Sequence, residues 1–461
     1  MTNLLRRKAT KVLQLVGTVA TLAIAAQQGY ASVIYQAFNE DFGTITNKLD
    51  DLSWLGVDFI QISPPQKSID ETIWWGRYQP VDYSVIAGPL GDEASLKRLI
   101  DAAHGHGIKI LVDAVLNHMA DPVFHPGDLH YAQFGPQDFH FADNRPCIRD
   151  YSDRWQATKF WMCDPVIEGR KLPDLDTSSA YVRGVHKDYL RKLMALGADG
   201  FRFDGVKHIE PEYFADVLQV IPRDKYYYGE VISDTPQLSG EYLPYMPLTD
   251  FQLLGVMIRA FSYGGNLQDL IFPEGIGAAL PGSKAVVFSR NHDTAMSPSF
   301  FNFSDLTDAK LANGFVLGRG VGKVLVYRDD ISDGEVRAGM RFNHAMEGLS
   351  TNIRHIDEIC SADIIGCNPG NLLVMDRGDR GVVIINKGQD WVNIPSARMP
   401  GLADGCYQEM RLGFQMEVTQ SSDNQRWVSM WGSRERGGFQ IGPRTVLYFQ
   451  RVTGAWGRCA G

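Results

Sequence analysis

Short apolar runs recur along the chain, separated by longer segments in which apolar residues return every three or four positions. Val33–Phe38, Phe59–Ile62, Lys109–Val115, Tyr226–Val231, Leu248–Phe251, Ala285–Phe288 and Lys323–Tyr327 read as strands, and a further strand opens at Gly200. Between them, Ile45–Leu55 has the period of an amphipathic helix. Leu96, Leu99, Ile100 and Ala103 repeat at helical spacing, and Gly105 and Gly107 close that segment. Val182, Val185, Tyr189, Leu193 and Met194 mark another helix ahead of Gly200. Strands alternating with helices eight times over predict an α/β fold, a closed parallel (β/α)8 or TIM barrel.

Two regions break this rhythm. Residues 119–173 are rich in Pro, Asp, His and aromatics and have no helical period. A stretch that long inside a compact fold is expected to be functional or a small domain of its own. After about Gly366 the pattern changes to short alternating runs, Leu372–Met375, Gly381–Ile385, Trp427–Met430 and Thr445–Phe449, with turns such as Asp376-Arg-Gly378 between them. This predicts a C-terminal all-β sandwich. The expected division is a leader at 1–31, a barrel at 32–118 and 174–360, an insertion at 119–173 and the β domain at 361–461.

The leader is read from charge and hydropathy. Arg6, Arg7, Lys8 and Lys11 precede an apolar run from Val12 to Ala26, and Gly29 and Ala31 give small residues where a signal peptidase cuts. The run is too short to span a bilayer, so the expectation is a secreted protein rather than an anchored one. Export makes the six cysteines, Cys147, Cys163, Cys360, Cys367, Cys406 and Cys459, candidates for disulfides. Six cysteines allow fifteen pairings. Nearness suggests 147 with 163 and 360 with 367, which leaves 406 with 459.

With 461 residues the chain is too long for one ordinary core. A net charge of −9 argues against nucleic acid or an anionic membrane as a partner and is neutral toward uncharged sugars. No phosphate-binding GxxxxGK[ST] and no CxxC pair is present.

The chemistry gathers at strand ends. In Gly200-Phe-Arg-Phe-Asp-Gly-Val-Lys-His208, Arg202 and Asp204 share one face of a strand, because side chains alternate. Buried charges must be paired, and at the C-terminal end of a barrel strand such a pair reads as catalysis. Ile110–His118, Tyr227–Val231 and Val286–Asp293 have the same form. Together the four segments present Asp113, Asn117, His118, Arg202, Asp204, Lys207, His208, Glu230, His292 and Asp293.

These segments, DAVLNH, GFRFDGVKH, GEVI and SRNHD, with Leu172-Pro-Asp-Leu-Asp176, resemble the five short motifs of the alpha-amylase family of glycoside hydrolases and stand in that family's order. The resemblance runs from about Val33 to the end, and Trp74–Tyr83 looks like the corresponding segment of animal-type members. It implies a domain B at the insertion and a first disulfide like that of animal and fungal amylases. It implies an enzyme that hydrolyses internal α-1,4 bonds of starch, glycogen and related glucans, acting as a monomer. A glucosidase or transglycosylase of the family, or a non-catalytic starch-binding homologue, are the alternatives.

Residue by residue, the resemblance implies Asp204 as nucleophile, Glu230 as acid/base and Asp293 as transition-state stabiliser. Arg202 keeps the nucleophile ionised. His118 and His292 are expected on hydroxyls of the sugar being cleaved, and Tyr78 stacked against it. Trp75, Gln79 and Trp74 would line the non-reducing side, and Lys207 and His208 the reducing side. A structural calcium is expected on Asn117 and Asp174, with backbone carbonyls of His208 and Trp161. A chloride is expected on Arg202, Asn291 and Arg328.

Overall fold

The computed structural model describes residues 32–69, 73–164, 166–233, 235–296, 301–354, 368–394, 402–420, 426–430, 439–452 and 459. Eight strands close into a parallel barrel in chain order: β1 (Val33–Ala37), β2 (Val57–Ile62), β3 (Lys109–Ala114), β4 (Gly200–Phe203), β5 (Tyr226–Gly229), β6 (Leu248–Thr249), β7 (Ala285–Val287) and β8 (Lys323–Tyr327), which returns to β1. The strands are almost wholly buried, which is why they read as unbroken apolar runs. The register sets Asp113 of β3 beside Arg202 of β4, and Arg202 beside Tyr228 of β5.

The helix expected at Ile45–Leu55 is two short ones, α1 (Phe42–Thr46) and α2 (Leu49–Trp54). Gly43, Thr44, Thr46 and Asn47 are poor helix formers, and the Asn47 N–H turns back to the Gly43 and Ile45 carbonyls. The apolar period survives the break, since Ile45, Leu49, Leu52 and Leu55 are all buried. Further along, α3 (Glu93–Gly105) starts from a reciprocal cap between Asp92 and Ser95 and buries Leu96, Leu99, Ile100 and Ala103. The insertion holds α4 (Arg154–Lys159) and a two-stranded sheet, Met162–Cys163 with Lys171–Leu172, bound by a Cys147–Cys163 disulfide. Then come α5 (Ala180–Leu196), α6 (Pro211–Val217), α7 (Pro236–Tyr242), α8 (Phe251–Phe261), α9 (His292–Met296), α10 (Leu306–Arg319) and α11 (Gly334–Ala345).

The C-terminal sheet has seven antiparallel strands. In sheet order they are β9 (Thr351–Ile353), β10 (Leu372–Arg377), β11 (Gly381–Asn386), β17 (Thr445–Val452), β13 (Gly405–Glu409), β14 (Gln415–Gln420) and β15 (Arg426–Met430); β12 (Val392–Ile394) and β16 (Phe439–Ile441) pair separately. β9 lies ahead of residue 361, where the sequence places the boundary. Alternate residues face two cores. Leu372, Val374, Val382, Ile384, Leu447 and Phe449 pack with Val392 and Ile441. Leu373, Met375, Val383, Ile385, Val446 and Tyr448 join the core of the barrel. There α10 comes so close that a Cβ on Gly314 would lie 2.6 Å from Val446, and one on Gly318 2.7 Å from Met375. Cys406 and Cys459 are joined, while Cys360 and Cys367 lie outside the described residues, as do residues 1–31. No helix of the described residues is long and apolar enough to cross a membrane.

One buried group of α5 gives the fold a pH dependence. His186 lies among the rings of Tyr83, Phe134 and Tyr213, its Nδ1 2.8 Å from the Tyr213 hydroxyl, and burial lowers its pKa to about 3. Above pH 6.5 it is neutral folded or unfolded; as pH falls below that, only the unfolded chain takes the proton, so stability is lost. Between pH 7 and pH 5 this one group is expected to remove about 2 kcal/mol. Denaturant unfolding at both pH values, compared with His186→Asn, checks it: the variant should show a smaller pH difference by that amount.

Candidate active site

Asp204 and Glu230 sit just past β4 and β5, in backbone that continues the ladder, while Asp113 lies within β3 and Asp293 in the first turn of α9. The Asp204 N–H donates to the Ala114 carbonyl (3.0 Å), the Glu230 N–H to Phe203 (2.9 Å) and the Val206 N–H to Glu230 (3.0 Å). Gly205 takes φ +53° in the turn after Asp204, a left-handed conformation that suits glycine. The side chains therefore converge above the barrel without a flexible loop between strand and function.

Arg202 is the centre. Its Nη1 donates to both oxygens of Asp113 (2.7 and 2.9 Å) and to Asp204 Oδ1 (2.6 Å), while Nη2 pairs with Glu230. The Tyr78 hydroxyl donates to Asp113 (2.8 Å), and the Gly205 N–H to Glu230 Oε2 (3.2 Å). The Asp293 carboxyl hydrogen-bonds Glu230. Four carboxyls thus share one cation. Burial pushes Asp204 up to about 7 and Asp113 to about 6 against the pull of Arg202. Burial and the Glu230 charge hold Asp293 well above the carboxylate range. Burial acts the same way on Glu230, but Arg202, His292 and the hydrogen bonds from Asp293 and the Gly205 N–H together outweigh it and keep its pKa low. The cluster keeps a proton at neutral pH, and that proton belongs to the group as a whole.

His292 is oriented from behind. Its N–H donates to Gln36 Oε1 (3.1 Å), which turns the Gln36 amide NH2 toward His292 Nδ1 (2.8 Å). The proton of the neutral ring is then on Nε2, 3.4 Å from Asp293. Phe38 and Tyr78 stack on the same ring, with centroids at 4.6 and 5.3 Å. Gln36 and Phe38 were not singled out from sequence; the signal was a glutamine inside the apolar run of β1. His118 meets the Tyr78 carbonyl through Nε2 (3.0 Å). Burial keeps both histidines neutral, with pKa values near 4 for His118 and 3 for His292.

The aromatic platform is present too. Trp74 contacts Phe38 and His292, and Trp75 packs on Phe124. Gln79 lines a cavity beside Trp75 and Tyr78, its side-chain amide oxygen accepting the Asp121 N–H (2.8 Å). Lys207 lies over the half-exposed Tyr151 ring at 5.1 Å, and Tyr151 also meets His208 edge-on. The His208 ring is buried and faces the Ala157 carbonyl, so it presents no ring to a sugar.

Asn117 and Asp174 meet where the insertion leaves the barrel. The Asn117 amide donates to Asp174 Oδ1 (3.1 Å), and His140 Nδ1 bonds Oδ2 (2.7 Å). The Asn117 Oδ1 atom is buried without a partner, as a cation ligand would be. Burial raises Asp174 to about 7. Trp161 is tied in through its indole N–H to the His140 carbonyl (2.7 Å), and its own carbonyl accepts the Ile148 N–H (3.0 Å). These residues fit an oxygen-ligated cation, though with a single carboxylate.

Chloride was expected on Arg202, Asn291 and Arg328. Arg202 is saturated by carboxylates. Arg328 turns away to the Phe38 carbonyl (2.6 Å) and Asp329 (3.2 Å) and is about one-third exposed. Asn291 Oδ1 accepts the Thr294 N–H (2.9 Å) at the start of α9.

A family model described as the alpha amylase catalytic domain matches residues 31–242. An alpha-amylase of Aeromonas hydrophila is 31% identical over 412 residues, which is 80% of this chain and 88% of that protein. One of the beetle Hypothenemus hampei is 31% identical over 326 residues, 64% of each chain. Alpha-amylase I of Eisenia fetida superposes with a TM-score of 0.73 at 22% identity, covering 92% of this chain and 97% of that one, and a variant of it was solved with maltohexaose. With this geometry and these relatives, the chain belongs to the alpha-amylase family of glycoside hydrolases.

Arg328→Gln is expected to leave the rate and its pH profile unchanged. Addition of chloride to chloride-free buffer should do nothing in either protein; a chloride-stimulated rate abolished by the substitution would show that Arg328 does hold the ion.

Proposed function

We propose that this enzyme hydrolyses internal α-1,4-glucosidic bonds of starch-like glucans with retention at the anomeric carbon. The observation that carries the reading is the single guanidinium of Arg202 bound to Asp204 through one nitrogen and to Glu230 through the other. Carboxyls on adjacent nitrogens of one planar group stand side by side. Retaining glycosidases need about 5–5.5 Å between theirs, while inverting ones need a gap of roughly 6.5–9.5 Å to admit water.

In this reading Asp204 attacks the anomeric carbon as Glu230 gives a proton to the departing glycosidic oxygen. A glycosyl ester on Asp204 results. Glu230, now ionised, takes a proton from water, the water oxygen attacks the same carbon, and the ester bond breaks to release the α anomer. The proton the cluster keeps reaches Glu230 through its hydrogen bond with Asp293, one transfer from the acid that needs it. Lys207 and Tyr151 on one side, and Trp74, Trp75 and Tyr78 on the other, suit a chain longer than a disaccharide, which favours a polymer over a glucosidase substrate.

Calcium would be held by Asn117 Oδ1 and Asp174, with the His208 and Trp161 carbonyls as further oxygens, and its role would be to tie the insertion to the barrel. Export belongs to the same reading, because the two disulfides among the described residues suit an oxidising compartment; cleavage after Ala31 would leave Ser32 first.

Asp204→Asn and Glu230→Gln should each lose at least about 1,000-fold in kcat on soluble starch without unfolding, as removal of a group acting in the transition state does. A fully active Asp204→Asn protein, or β-anomeric product by polarimetry, refutes the mechanism. Exhaustive chelation should lower both Tm and activity, calcium should restore them, and Asn117→Ala should abolish the response. A Tm indifferent to chelation would mean that Asn117 and Asp174 serve the fold alone.

A further inference from the structure

A cavity of about 310 Å³ continues from Tyr78, Gln79 and Trp75 along the insertion, past Asp121, Cys163 and Leu172 to Arg170. Arg170 is placed there by two aromatic rings. Its guanidinium carbon lies 4.8 Å from the centre of Phe124 and 5.7 Å from that of Trp75, and the two rings pack on each other at 5.3 Å. Such stacking fixes the plane of a guanidinium and leaves its edge free to donate.

The edge makes no hydrogen bond, and its charge acts on the Asp164 carboxyl without pairing with it. Among the described residues Arg170 forms no ion pair, and its side chain forms no hydrogen bond. Asp121, which lines the same cavity, is already occupied: its two oxygens accept the Val123 N–H (2.9 Å) and the Lys171 N–H (3.0 Å). Asp164 spends one oxygen on the N–H groups of Val166 and Ile167. The segment is also held in place. Arg170 immediately precedes the Lys171–Leu172 strand, whose partner Met162–Cys163 is anchored by the Cys147–Cys163 disulfide.

We infer that Arg170 is a specificity-determining residue at the non-reducing end of the cleft, where its guanidinium edge donates to neighbouring hydroxyls of an α-glucan unit lying beyond Trp75. This rests on the reading of the cleft as a glucan site. An uncharged vicinal diol fits better than an anion. A fork of N–H donors matches two adjacent oxygens, and Asp121 and Asp164 on the wall would repel a negative charge. The interaction adds affinity only for binding modes that fill this end of the cleft. It therefore selects which bond of an oligosaccharide is cut.

The test is the cleavage pattern of maltoheptaose labelled at its reducing end with 4-nitrophenol. Arg170→Met keeps an apolar stem against the rings and removes the donors; Arg170→Ala removes both. Both variants are expected to shift the main cut toward the non-reducing end, so that labelled fragments lengthen. Their kcat/KM should fall about three- to tenfold, the scale of one or two hydrogen bonds. An Arg170→Met protein with the wild-type pattern and kcat/KM would reduce Arg170 to packing and overturn the inference. Asp204→Asn is run beside them: if it cuts at the wild-type rate, the reading of the cleft has failed, whatever Arg170 does.

Discussion

One guanidinium holds the top of the barrel together. Asp113, Asp204 and Glu230 all bond to Arg202, and Asp293 is attached through Glu230. Four carboxyls this close would repel one another, and burial alone would force protons onto most of them. Arg202 permits charge to remain where chemistry needs it, while the surplus of acid over base ensures that a proton remains as well. A lysine could not take its place, since one ammonium is a point charge and cannot present separate nitrogens to three partners. Everything else around the cleft is arranged to keep this group dry and fixed. Tyr78 closes on Asp113, Gln36 sets the His292 tautomer, and Phe38 backs the ring.

The barrel was legible because its strands are buried on both faces and so appear as apolar runs of the right length. The catalytic constellation was legible because charged residues at the ends of such runs have little reason to be there except function. What escaped notice follows the same logic in reverse. Gln36 is one uncharged polar residue in a strand, and its role depends on a partner 256 positions away. The break between α1 and α2 leaves the apolar period intact, so periodicity could not show it. Arg328 was named as an anion ligand on the family resemblance. Its direction is set by the Phe38 carbonyl, which no local pattern reveals. His208 was placed correctly in the chain, but its ring points into α4 rather than into the cleft.

The insertion illustrates how a polar, aperiodic stretch can still be tightly defined. It carries little regular structure, yet the Met119 N–H reaches the Pro173 carbonyl and the Leu175 N–H reaches that of Asn117, so its two ends are stitched together. Its middle is pinned by the Cys147–Cys163 bond and by Arg154, which donates to the Lys207 carbonyl (2.8 Å). One wall of the cleft is thereby fixed to the strand that carries the catalytic residues.

The C-terminal sheet has a different kind of consequence. Strands β10, β11 and β17 send every second side chain into the core beneath α10 and the others into a core of their own. A unit attached in this way cannot behave as a passenger. A chain shortened ahead of Leu372 would leave the glycine-lined face of α10 open to water, with no side chains of its own to cover it. Modular exchange of this sheet between relatives would therefore have to carry α10 along with it. The natural seam of the molecule runs through the barrel's last helices, not along the linker where the sequence changes character.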